Sequence, residues 1–152
     1  MREEAEYLRI ALAMGLISKD AVVAWADRII AALDEPLIQV IDVSLSAGRP
    51  EVEVMDLLAA VPGSGDLAAA AHRALGLLLQ EFRAGRISLE RVVEALWAYS
   101  NWATVPEGEQ VQAVNFTDAL FCAQRGYYGT LESVRSEIGS FLDEHVAGDA
   151  PG

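Results

Sequence analysis

"GLISKDAVVAWADRIIAAL", residues 15–33, decides the fold. Gly15 suits the left-handed position that ends a helix, and Ser18 is a good side-chain cap for the next one. Asp20 then complements the positive N-terminal end of the helix dipole. Val22, Ala26, Ile29 and Leu33 recur at helical spacing on one stripe, which Trp25 and Ile30 widen. The stretch is a helix stop, a cap and an amphipathic helix in succession. Its opening returns as "GRISLERVV" at 85–93, and the same offset of 70 carries Leu8 onto Leu78 and Pro36 onto Pro106. Two copies of a four-helix unit are expected, forming one compact pseudo-symmetric domain.

Further out, the punctuation is of the same kind. Gly48, Gly85 and Gly126 stand where helices should end, Ser88 and Thr130 where they should begin, and Pro36, Pro50 and Pro106 where helices open. Near the end of the chain, Leu131, Val134, Ile138, Phe141 and Leu142 form another stripe, with Glu132, Arg135 and Glu144 turned outward. Eight helices are predicted, at about 3–14, 19–33, 36–47, 50–61, 66–84, 89–102, 107–125 and 131–145. The fold class is all-α. Residues 1–147 form a single domain with sub-units 1–62 and 66–147 and a linker at 63–65, and 148–152 form a frayed tail.

The chain has 152 residues, 53% of them hydrophobic, enough for a real core. Eleven basic residues against 23 acidic ones give a net charge of -12, and the excess is spread over both halves. Such a charge repels nucleic acid and anionic membrane and speeds encounter with a basic partner. One cysteine, Cys122, permits no internal disulfide, and the acidic start "MREEAEYLRI" lacks the basic flank of a signal peptide. A cytoplasmic location is expected.

Sequence motifs for chemistry are few. His72 and His145, the two histidines, fit neither HExxH nor the Glu-x-x-His pattern, so no metal and no cofactor is expected. "GSGDLA" at 63–68 satisfies GxGxxA, but a helix precedes it where a dinucleotide site needs a strand; it is a linker in which Ser64 or Asp66 caps the next helix. The clusters Glu3–Glu4–Glu6 and Glu51–Glu53–Asp56 are expected to be solvated faces. Asp42 and Asp118, set in the apolar stretches "VIDVSL" and "NFTDALF", are the carboxylates expected to be partly buried. Trp25 and Trp97 are expected in the core.

"GYYG", residues 126–129, places two amphipathic rings side by side in a connection. Adjacent residues in a turn cannot both point into one core, so at least one ring should be exposed, and tyrosine is favoured at interfaces. With antiparallel neighbours, the loops at 85–88 and 126–130 fall at one end, bringing Glu90 and Glu132 near Tyr127 and Tyr128. In acidity, size and helicity the chain resembles toxin-neutralising, immunity-type proteins. The expectation is a binding or inhibitory protein that neutralises a basic protein partner through Tyr127, Tyr128, Glu90 and Glu132. The alternatives are a helical scaffold or adaptor that binds peptides or self-associates, and an enzyme using Asp42 or Asp118.

Overall fold

The computed structural model describes residues 1–147, and the expected tail at 148–152 lies outside them. Eight helices follow in order: α1 (Arg2–Ala13), α2 (Lys19–Ala32), α3 (Ile38–Ser44), α4 (Glu51–Ala59), α5 (Leu67–Arg83), α6 (Leu89–Trp102), α7 (Glu107–Gln124) and α8 (Leu131–Ala147). No strand occurs among the described residues, and no helix there is long and apolar enough to cross a membrane.

The caps explain why the boundaries lie where the sequence puts them. The hydroxyls of Ser18 and Ser88 accept from the backbone N–H of Ala21 and Arg91, Asp66 accepts from Ala69, and Thr130 Oγ1 accepts from Ser133. Each satisfies an N–H that the helix leaves unpaired, a contribution of about 1 kcal/mol. α2 and α6 both run fourteen residues and start at matching positions, Lys19 and Leu89. The other helices expected to correspond differ more, and the repeat is not evident in them: α3 has 7 residues against 18 in α7, and α4 has 9 against 17 in α8. Gly15, Gly85 and Gly126 take the expected positive φ, whereas Gly48 does not; Gly63 and Gly129 do so as well.

α1 is the shared element. One side of it (Ala5, Leu8, Leu12) joins a core with Val22, Trp25, Val40, Val43, Val54 and Leu58 from α2–α4. The other side (Ile10, Ala11, Met14) joins a larger core with residues of α5–α8. In that second half each helix packs on its sequence neighbours and α8 closes back on α5, which makes a four-helix bundle. Burial on two sides also overturns one expectation about α1. Glu6 is fully buried rather than solvated, because it falls between the two apolar stripes. Its carboxylate accepts from Arg9 Nε at 2.9 Å and Nη2 at 2.7 Å, and from Arg2 Nη2 at 3.2 Å. Those arginines also donate to Trp102 O and Leu58 O, tying α1 to the ends of α6 and α4.

The segment that connects α4 to α5 is held against the start of α1. A Cβ placed on Gly65 would lie 2.8 Å from Glu3 Cβ and 3.2 Å from its backbone nitrogen, and backbone cannot move aside as a side-chain end can. Gly65→Ala should therefore lower stability by about 1–3 kcal/mol, the usual cost of forced overpacking. Gly108→Ala, at a position with open space, is the control in urea unfolding.

Candidate functional site

Two features of the bundle stand apart from its structural packing, one at each end. The connections place the N-terminal ends of α5 and α7 beside the C-terminal ends of α6 and α8. Four polar side chains meet there, one from each helix: His72 (α5), Tyr99 (α6), Glu109 (α7) and His145 (α8). His72 Nε2 lies 2.9 Å from Glu109 Oε1 and 3.1 Å from Oε2. The Tyr99 hydroxyl donates to Oε1. His145 Nδ1 lies 3.4 Å from Oε2. Tyr99 and Glu109 are buried and both imidazoles are largely covered. The two rings stand 5.6 Å apart, and Phe141 packs on His145 with centroids at 4.5 Å.

A carboxylate in an apolar core is costly unless its lone pairs are met. Here three side chains from three other helices converge on one carboxylate, and they include both histidines of the chain. The sequence reading treated His72 and His145 separately and passed over Glu109. Beside them, α7 and α8 flank a groove of ≈ 390 Å³ whose lining includes Phe116, Phe141, Gln112, Asn115, Ser140 and Glu144.

The opposite end of the bundle carries "GYYG". Tyr127 is 72% and Tyr128 83% exposed. The Tyr127 ring stands 6.5 Å from that of Phe121, which is itself exposed on α7. One helical turn back, Thr117 lines a shallow apolar pocket with Val93, Glu94 and Trp97 of α6. Trp97 is 52% exposed and so is not the core residue expected; it lies about 100° around α6 from the buried Leu96. Phe121 and Tyr127 thus form an exposed aromatic pair, and Trp97 is exposed on the adjacent helix beside Thr117. α7 shows why: it buries Ala113, Phe116 and Leu120 on one side yet exposes Val111, Val114 and Phe121 on the other.

The charged residues expected at this end are there. Glu90 is exposed at the start of α6 and accepts from Gln124 Nε2 at 3.3 Å, which joins it to the last turn of α7. Glu132 is exposed in the first turn of α8. Asp118 is not buried. It is exposed on the outward side of α7, within one turn of Val114 and Phe121, while Phe116 and Leu120, which suggested burial, face the core from the other side of the helix. Asp42 is half-buried on α3. The fully covered carboxylates lie elsewhere, at Glu6 and Glu109. The Arg125 guanidinium stacks over the Phe121 ring at 3.9 Å from its centroid, so this surface already holds a cation against an aromatic face. Comparisons of the chain with protein-family models, with curated proteins and with solved structures found no match.

Proposed function

We propose that the protein is a small acidic binding module that holds a basic protein partner on the aromatic end of its α5–α8 bundle, in the manner of an immunity-type neutralising protein. The observation that carries this reading is the exposure of Tyr127 and Tyr128, the first beside the exposed Phe121 ring, with Trp97 exposed on the neighbouring helix. Soluble proteins rarely leave so many large rings together in water without a use for them. Tyrosine and tryptophan supply large contact area at little cost in side-chain entropy. The surrounding Glu90, Asp118 and Glu132, on a chain of net charge -12, set the sign of the partner. A partner arginine would find on these rings what Arg125 finds on Phe121. An apolar face on α3, where Ile38 and Leu45 are exposed seven residues apart, favours a second reading, a self-associating helical adaptor. Light scattering separates the two readings, since self-association predicts a dimer at micromolar concentration.

The test uses the parent chain and its Tyr127→Ala/Tyr128→Ala variant side by side as baits. A basic protein held by the parent at low salt, released at high salt and absent from the variant is the expected result. Titrated directly, its affinity for the variant should be lower by at least about 100-fold, because each interface tyrosine is worth about 2 kcal/mol or more. The variant's own stability should stay within about 1 kcal/mol of the parent, as exposed side chains contribute little. Retention of the same proteins by both baits would defeat the proposal. So would a large loss of stability, which would make the rings packing for the bundle end.

A further inference from the structure

We propose that His72, Glu109 and His145 form a binding site for one divalent first-row transition cation in the core of the α5–α8 bundle. One donor atom from each of the three lies within 4.8 Å of the others. Two imidazoles and a carboxylate suit zinc and its neighbours, and three protein ligands leave a coordination position for water.

Two of the three donor separations suit a metal as well as a hydrogen bond, and all three lie within 4.8 Å. With ligand bonds of about 2.0–2.2 Å, neighbouring donors stand about 3.3–3.6 Å apart in a tetrahedron and about 2.8–3.1 Å apart in an octahedron. Glu109 Oε2 lies 3.4 Å from His145 Nδ1 and 3.1 Å from His72 Nε2. The first of these is long for an N–H···O bond, whose usual range ends near about 3.2 Å. His145 Nε2 is buried with no hydrogen-bond partner among the described residues, so hydrogen bonding explains little of why an imidazole stands there. A cation between Oε2, Nδ1 of His145 and Nε2 of His72 would give that ring its strong interaction.

Neighbouring side chains hold the carboxylate and one of the rings in place. Tyr99 donates to Oε1, which fixes the carboxylate and leaves Oε2 for the ion. Phe141 packs on His145 and is itself edge-on to Phe116, holding the ring orientation. The ligands come from three helices locked by one apolar core, so they are positioned before the ion arrives. The site is at the far end of the bundle from the tyrosines and does not depend on the binding role proposed for them.

The experiment uses the full chain stripped with a chelator and dialysed free of it. Zn2+ at a hundredfold excess over its Kd should raise Tm by about 5–10 °C. One equivalent of Co2+ should give the visible ligand-field bands of a four- or five-coordinate site, and Zn2+ should abolish them. His145→Ala should lose the bands and weaken affinity by at least about 100-fold. Tyr99→Phe should weaken it by about 10–100-fold while keeping the bands. Because a histidine variant could fold poorly, the parent chain supplies a separate readout: its Co2+ form should show strongly shifted proton resonances from both imidazoles. Absence of bands, unshifted imidazole resonances, or equal metal uptake by His145→Ala would overturn the proposal, the last by placing the ion on surface carboxylates.

Discussion

Glu6→Ala should destabilise the protein by about 3–5 kcal/mol, lowering Tm by about 6–20 °C at this chain length. The carboxylate is fully buried and is the common acceptor for Arg2 and Arg9, both themselves mostly covered. Removing it leaves two guanidinium groups facing each other in the seam where α1 meets α4 and α6, with only the carbonyls of Leu58 and Trp102 to meet them. Like charges brought together out of water explain a cost above that of a lost surface ion pair. Replacing the triad as a unit, Arg2→Leu/Glu6→Met/Arg9→Met, should recover most of the loss, since an apolar set avoids desolvating three charges. Urea unfolding with an unchanged m-value checks both, and equal losses in the single and triple variants would show that packing, not charge, set the cost.

How much of this was legible in the sequence depends on the kind of signal. All eight helices were, because Ser18, Ser88, Thr130, Asp66 and the positive-φ glycines mark their ends by local chemistry. That at least one of the adjacent tyrosines is exposed was legible too, from two rings side by side in a turn, though not that both are. Burial around the helix axis was less so. Glu6 and Asp118 were placed on the wrong side, since α1 and α7 carry apolar residues on two sides and a single-stripe reading misassigns what lies between, and so was Trp97, an apolar residue just beside the buried stripe of α6. The polar centre did leave a trace that motif searching overlooks. Glu109 extends the line Ala113, Phe116, Leu120; His145 extends Val134, Ile138, Phe141; Tyr99 extends Val92, Leu96. A polar residue in register with a buried stripe is a buried polar residue. That these ends coincide follows from the up-and-down order of the four helices, which no local motif encodes.

That convergence implies that the centre holds the bundle end together with no ion present. In a chelator, Glu109→Ala should cost about 3–4 kcal/mol. Part is the stranding of the Tyr99 hydroxyl, which is fully buried and points at the lost carboxylate, worth about 1–3 kcal/mol. The rest is the lost burial of one methylene, about 0.8 kcal/mol, together with the cavity that the side chain leaves. A double-mutant cycle of Tyr99→Phe and Glu109→Leu isolates the shared bond. Each single change leaves one polar partner behind, whereas the double change removes both and fills the space with apolar atoms. The double variant should be more stable than the sum of the singles implies, by about 1.5–3 kcal/mol, the range for a hydrogen bond to a charged group. Additivity within about 0.5 kcal/mol would mean that the hydroxyl and the carboxylate do not pair in solution, and the ring of Tyr99 alone would then explain its place in the core.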